Sequence, residues 1–290
     1  MISEVRGTLM NMGVDYEIAF TRRRGHAIEM AHHAAERGFS RILSVGGDGV
    51  AGEVLNGSFG SDTELAVVPA GTGNDLAAGL GIPLKPAEAT KLALSGTAVS
   101  IDVGRVNERY FFQVAGAGFD SLVTKAANDT SWIKGREVYV YATIRTLFGF
   151  EAANFSITTP DGRVELKAMM VAVGNGPSYG GGMRVTPDAR FDDGVLDVCI
   201  VENISIPHFM IMFPRVFNGT HVKSSAVRML KTKAVRLEAD RDFPIYADGE
   251  YVSQLPAEIT VHPGAISVVA PAYAPAIVPE RKPVLAPLVP

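Results

Sequence analysis

Cysteine occurs once in 290 residues, and so does tryptophan. A lone thiol, Cys199, can close no internal disulfide and build no thiolate zinc site, so the expected compartment is reducing and cytoplasmic. Charge of one sign is not in excess: 27 Lys+Arg stand against 31 Asp+Glu, a formal net charge of −4. That balance argues against a dedicated nucleic-acid binder, whose phosphate-facing surface is basic. Long apolar runs are missing as well, and no window approaches the ~18 uncharged apolar residues that a membrane-spanning helix needs. The first ten residues, MISEVRGTLM, have no apolar signal segment. No Gly-Lys-Ser/Thr follows the glycine clusters, which excludes a Walker A loop, and neither His-Glu-x-x-His nor Gly-x-Ser-x-Gly occurs. With 47% hydrophobic residues, the remaining class is a soluble α/β protein of one large or two modest domains.

Within the first hundred residues, helical and strand patterns alternate. Residues 26–37 set Ala27, Met30, Ala31, Ala34 and Ala35 near one helical face, with Gly38 as the stop. Arg41 to Val45 reads as a buried strand running into Gly46-Gly47-Asp48-Gly49, and residues 50–56 as a helix closed by Gly57. Leu65 to Pro69 is a second strand, and Pro86 to Leu94 a further helix. Strand, loop and helix repeated this way imply a parallel sheet with helices on its faces. Beyond about residue 97, short β-branched or aromatic segments take over, at 97–106, 109–116, 154–159, 163–174, 195–202, 233–239, 243–247 and 257–262. Asp161-Gly162 and Asp248-Gly249 are hairpin dipeptides, so this half reads as mostly antiparallel β, interrupted by helices near 132–148 and 205–217. The Pro-rich last twenty residues have no packing period and are expected to be extended or disordered. A doubly wound domain opens with a strand, whereas residues 1–13 read as a helix ending at Gly13, so a strand is expected upstream of Met1.

Two glycine loops carry the chemistry. Gly46-Gly47-Asp48-Gly49-Val50-Ala51-Gly52-Glu53-Val54-Leu55-Asn56-Gly57 lies where a strand turns into a helix. There, glycines let backbone N–H groups approach a ligand, and the helix N-terminus completes a phosphate cradle. Asp48 beside a phosphate would repel it unless Mg²⁺ intervenes. Pro69-Ala70-Gly71-Thr72-Gly73-Asn74-Asp75 ends the next strand, and adjacent parallel strands open onto one crevice. On spacing alone, the same residues also describe plain βα turns, with Asp48 and Asn74-Asp75 as helix caps.

Together these motifs, with the later Asp248-Gly249-Glu250, resemble the diacylglycerol kinase catalytic family, and more closely its soluble bacterial lipid kinases, relatives of sphingosine kinases. The resemblance runs from about residue 15 to 270 and implies an α/β N-terminal domain. That domain is three-layered, with a parallel sheet, and NAD-kinase-like; a mostly antiparallel β-sandwich domain follows it. The implied boundaries are 1–102 for nucleotide binding, 103–265 for the substrate domain and 266–290 for a return segment and tail. The implied reaction is transfer of the γ-phosphoryl of ATP to a lipid hydroxyl, diacylglycerol to phosphatidic acid first, with ATP and Mg²⁺ as cofactors. It places Glu250 as general base, with Asp48 beside it. The nucleotide falls on Gly46, Gly47, Asp48, Gly49, Gly52, Glu53, Gly71, Thr72, Asn74 and Asp75, and on Thr21 after the strand that precedes it. A structural Mg²⁺ loop falls on Arg190, Asp193 and Val195, with Asp120 reaching that ion through water.

In two places the chain departs from the family pattern. Val50 stands where the family has Thr, and the opening strand with its Asn-Pro-x-x-Gly loop is not in the sequence. Those departures keep a non-catalytic nucleotide- or lipid-binding regulator in view, as the unmarked acyl pocket keeps a sphingoid base or a polyprenol as acceptor. The expected partners are nucleotide and a lipid at the inner face of the membrane, with peripheral association and no nucleic acid. A homodimer is left open. Residues 207–217 and 144–150, apolar with flanking Arg, are expected to touch the interface, line an acyl pocket or pack as core. Tyr179-Gly180-Gly181-Gly182-Met183 is expected as a flexible loop bordering the cleft.

Overall fold

The computed structural model describes residues 1–277 apart from 131, 134, 135 and 273, so most of the Pro-rich tail lies outside the described residues, while Ala274 and Ala276 at its start are buried, contrary to the expectation of disorder. The N-terminal half runs α1 (Ile2–Met12), α2 (His26–Glu36), β1 (Arg41–Gly46), α3 (Asp48–Ser58), β2 (Glu64–Pro69), α4 (Asp75–Gly79) and α5 (Pro86–Ser95). Helix α1 stops at Gly13, whose left-handed φ of 62° a side chain would resist. Strands β1 and β2 pair in parallel from Arg41↔Glu64 to Gly46↔Pro69, which brings both glycine loops to one sheet edge. Leu65, Ala66, Val67 and Val68 are buried, as fits a strand covered on both faces. Helices α2 and α3 pack closely at Gly57, where an added methyl would fall 2.2 Å from the Ile28 carbonyl oxygen.

The strand expected ahead of Thr21 does not form. Residues 14–20 hold no strand, and Val14, Tyr16, Ile18 and Phe20 are exposed. Among the described residues β1 pairs only with β2. Alternation supplies an apolar face but no ladder partner, and an unpaired strand has nothing to satisfy its backbone.

The second half contains β3 (Ala98–Val106), β4 (Arg109–Phe111), β5 (Val114–Gly118), α6 (Phe119–Asn128), α7 (Arg136–Leu147), β6 (Ala153–Thr159), β7 (Gly162–Gly174), β8 (Leu196–Glu202), α8 (Ile206–Met212), β9 (Val227–Thr232), β10 (Ala234–Ala239), β11 (Pro244–Ala247), β12 (Glu250–Gln254) and β13 (Ala257–Val269). Two 3₁₀ turns, Phe213–Asn218 and Thr220–Lys223, follow α8. Pairing here is antiparallel, and Phe155, Ile157, Val198, Leu237, Ile245 and Ile259 form its core. Strand β13 joins the halves: it pairs antiparallel with β10 and β3, then in parallel with β2 at Val268↔Leu65. It therefore runs seven residues past the expected 257–262 segment, with a register shift between His262 and Ile266 at Pro263-Gly264. Helix α6 and strands β9 and β12 were not expected from the sequence.

Gly57→Ala is expected to destabilise the fold by about 1–3 kcal/mol, because a backbone carbonyl has to move. Gly7→Ala, on α1 with nothing within 4 Å, is expected to stabilise by up to about 1 kcal/mol through helix propensity. Urea unfolding of both variants checks the contrast, and similar midpoints would contradict the close α2–α3 approach.

Candidate active site

The two glycine loops touch backbone to backbone. A methyl on Gly71 would lie 2.4 Å from the Gly47 Cα, and one on Gly47 would lie 3.0 Å from the Gly71 Cα. Asn74, at a left-handed φ of 53°, closes its loop by accepting from Gly71 N and donating to Gly71 O, both at 2.9 Å. Asp48 locks the loops together: its carboxylate accepts Asp75 N at 3.1 Å and Leu76 N at 3.0 Å. Asp75 in turn accepts Gly181 N and Gly182 N, both at 2.8 Å, which ties down the loop expected to be flexible. Gly47, Gly49 and Gly52 also stand in G-x-G-x-x-G spacing at this strand-to-helix turn. Val50 packs on the strand side, where a methyl on Gly46 would meet its Cγ2 at 2.8 Å.

From the other half, β11 and β12 form a hairpin turning at Asp248-Gly249, both with positive φ as a type I′ turn requires. Asp248 is half-buried, and its carboxylate accepts Phe112 N, Gln113 N and Val114 N at 2.7, 2.9 and 3.2 Å. That bracket sets Glu250, two residues on, against the first turn of α3: a methyl on Gly49 would lie 3.7 Å from Glu250 Oε1. Asn128, on α6, donates to Gly249 O at 2.9 Å and steadies the same turn.

Between the halves lies a cleft of about 290 Å³ lined by Asp48, Gly49, Thr72, Gly73, Asp75, Asp248, Gly249 and Glu250, with Tyr139, Tyr179 and others on the far wall. Burial pushes the Asp75 carboxyl up, against its backbone donors, and the nearby Asp48 adds to the rise. Burial likewise pushes Asp248 up to about 6. Burial and the charges of Asp75, Asp120, Asp48 and Glu250 raise the Tyr139 phenol, which keeps it a hydrogen-bond donor. A second cavity of about 60 Å³ adjoins, walled mainly by Phe119, Val123, Met170, Phe209, Met212 and Val216, and it shares Thr124, Tyr139 and Tyr179 with the cleft.

The structure thus brings together Gly46, Gly47, Asp48, Gly49, Gly71, Thr72, Asn74, Asp75 and Glu250. Gly52 lies one helical turn further on, with open space where a side chain would stand. Glu53 is turned away: it caps α2 by accepting Gly25 N at 2.7 Å and Ala27 N at 2.9 Å. Thr21 is exposed and outside the cleft lining. Arg190, Asp193 and Val195 sit on a different loop, braced by Asp102, which accepts Gly194 N at 2.7 Å and Gly264 N at 2.8 Å. At that loop Lys231 Nζ lies 3.1 Å from Asp193 and 3.0 Å from Asp197, and Arg190 pairs with Asp192 at 3.6 Å. Asp120 is not joined to that loop. It is buried at the start of α6, and the Tyr179 hydroxyl bonds it. Among the described residues, no group of three His, Cys, Asp or Glu side chains is placed to hold a metal. The sequence reading missed Tyr139, Asn128, Gln113 and the bracketing role of Asp248.

Comparison with known proteins decides the family. Residues 1–106 match the family model "Diacylglycerol kinase catalytic domain", and residues 113–270 match "YegS C-terminal NAD kinase beta sandwich-like domain". The chain belongs to the diacylglycerol kinase and YegS-like lipid kinase family. A diacylglycerol kinase of Mycobacterium tuberculosis is 36% identical over 83% of this chain and 80% of its own. A YegS-like lipid kinase of Pseudomonas aeruginosa is 33% identical over 91% of this chain and 87% of its own. Among solved structures, a diacylglycerol kinase from Bacillus anthracis superposes with a TM-score of 0.73, covering 94% of this chain and 91% of that one. At 23% identity, that likeness speaks for the lipid kinase fold. Both expected halves, the α/β domain and the β-sandwich-like domain, are therefore those of the family.

Asp120 offers a pH test of this site, since burial lifts its carboxyl from 3.8 to about 6 although the Tyr179 hydroxyl opposes the shift. A raised acid holds its proton more tightly folded than unfolded, so the stability it contributes is complete below about pH 4 and is lost as pH climbs through 6. Asp120→Asn removes that loss, on the order of 2 kcal/mol. The Tm of the variant relative to the parent is expected to rise between pH 4 and 7, and a pH-independent difference would contradict the burial.

Proposed function

We propose that the chain transfers the γ-phosphoryl group of ATP to the free hydroxyl of diacylglycerol at a membrane surface, giving phosphatidic acid and ADP. The carrying observation is Glu250, distant in sequence, facing the Gly49 turn at the N-terminus of α3 across a cleft that adjoins an apolar cavity. Backbone N–H groups of both glycine loops and the positive end of α3 suit the phosphates. Asp48 and Asp75 suit the Mg²⁺ that accompanies ATP: an oxygen of each lies 3.1 and 3.0 Å from one point, the position of a methyl on Gly73. Hard carboxylate oxygens facing one gap match a hard cation. Bound there, Mg²⁺ would offset phosphate charge that the carboxylates otherwise repel.

Glu250 acts on the acceptor. A lipid hydroxyl is a weak nucleophile, so its proton passes to the Glu250 carboxylate as its oxygen bonds the γ-phosphorus and the bond to the ADP oxygen breaks. Thr124, Tyr139 and Tyr179, common to both cavities, mark where that hydroxyl meets the phosphates. The relatives named diacylglycerol kinase support the acceptor's identity. Phe209 and Met212 of α8 line the apolar cavity, while Ile206, Met210 and Ile211 of the same helix are exposed. Ile144 and Phe148, near the end of α7, are exposed too, and such apolar exposure fits contact with a bilayer from which acyl chains slide inward. No helix among the described residues is long and apolar enough to cross a membrane.

Labelled ATP with vesicles containing diacylglycerol, a sphingoid base or a polyprenol tests the reading, and phosphatidic acid is the expected product. Glu250→Gln is expected to lower kcat by about 10²–10⁴ while ATP still binds; near-normal turnover would remove the base. Ile211→Glu is expected to reduce vesicle flotation and raise KM for vesicle lipid at least severalfold, leaving turnover of a short-chain soluble diacylglycerol unchanged. An equal loss on both substrates would contradict the bilayer contact.

A further inference from the structure

Arg24 stands at the mouth of the cleft. Its Nη1 lies 3.3 Å from Glu250 Oε2, an ion pair that joins the first half of the chain to the second. The turn that presents it is fastened to the nucleotide helix: Glu53, on α3, holds Gly25 N and Ala27 N, and Gly25 adopts φ 77°. The guanidinium itself is 76% exposed, against 32% for Glu250, so the side chain is free to reorient while its backbone stays in place.

The charge around it is one-sided. Asp48, Asp75, Asp248 and Glu250 line the cleft, and among the described residues none that lines it is Lys or Arg. A triphosphate adds negative charge to that wall, and Arg24 already has a side chain at its edge. Building on the nucleotide reading above, we propose that Arg24 exchanges partners, holding Glu250 before nucleotide binds and turning to the phosphate oxygens of bound nucleotide. A guanidinium serves both, because its planar fork of N–H groups matches carboxylate and phosphate alike. Release of Glu250 to take the acceptor's proton then follows nucleotide binding, which makes the nucleotide the first substrate to bind.

The test is calorimetric titration of the full chain with MgATP and with AMP, for the parent, Arg24→Ala, Arg24→Lys, Glu250→Gln and the double variant Arg24→Ala/Glu250→Gln. Arg24→Ala is expected to weaken MgATP by about tenfold, the worth of a charged hydrogen bond, with AMP changed less than twofold and Arg24→Lys recovering part of the loss. Glu250→Gln is expected to tighten MgATP more in the parent than in the Arg24→Ala background, by about two- to fivefold for an exposed pair. Equal losses for MgATP and AMP, or an identical Glu250→Gln effect in both backgrounds, would overturn the exchange while leaving nucleotide binding intact. A parent that binds no MgATP would overturn both this proposal and the nucleotide reading beneath it.

Discussion

Three consecutive backbone N–H groups, of Phe112, Gln113 and Val114, converge on the carboxylate of Asp248. The active-site geometry depends on this bracket. Burying a carboxylate costs several kcal/mol unless its lone pairs are satisfied, and removing one partner leaves orphaned groups. Burial pushes the Asp248 carboxyl up to about 6, against the pull of the three donors. What the bracket holds is the tight Asp248-Gly249 turn, and hence the direction in which β12 starts. Glu250 is the first residue of that strand, so its reach toward Gly49 follows from where Asp248 is fixed.

The proposed base on one half and the proposed phosphate donors on the other need a fixed distance between halves. Strand β13 provides one tether, pairing with β10, β3 and β2 in succession. Asn56 provides another near the cleft: on α3, it donates to Tyr110 O at 2.9 Å and accepts Tyr110 N at 3.0 Å, replacing a strand neighbour for β4. The helix that opens with Asp48 is thereby bonded to the strand that leads into the Asp248 bracket. Asn56 was legible as part of a Gly-rich run but not as a clamp, because its partner lies 54 residues away.

Legibility followed the range of the interaction. Gly47, Gly71 and Asn74 could be read because a positive φ or a close backbone approach is a local demand that few residue types meet. The Asp248-Gly249 hairpin was readable for the same reason. Glu53 misled: it sits within the phosphate-loop run, yet its carboxylate answers the open N-terminus of α2, which no local pattern announces. The strand that the resemblance implied ahead of Thr21 misled in the opposite sense, since a resemblance names an element and says nothing of the neighbour it must pair with. Helix α6 does carry Phe119, Val123 and Ala127 at helical spacing, yet three apolar positions between strands were too short a pattern to be read as a helix. Tyr139 and Tyr179 reach the cleft only through the packing of α7 and the 179–183 loop.

The two cavities divide the chemistry by polarity. One is lined by carboxylates and glycine backbone, the other by aromatic and aliphatic side chains, and three residues belong to both. A molecule that fills both must be charged or hydrophilic at one end and apolar at the other, because a polar group left unpaired in the second cavity would forfeit its hydration. The Tyr179–Asp120 pair already occupies the polar atoms at that boundary, so the apolar cavity receives little additional hydrogen-bonding demand from the protein. An acceptor hydroxyl held at this line has Glu250 and the glycine cradle on one side and its own hydrocarbon on the other. A hydrocarbon tail fills the largely apolar wall better than water does, which favours transfer to a lipid over hydrolysis of the nucleotide.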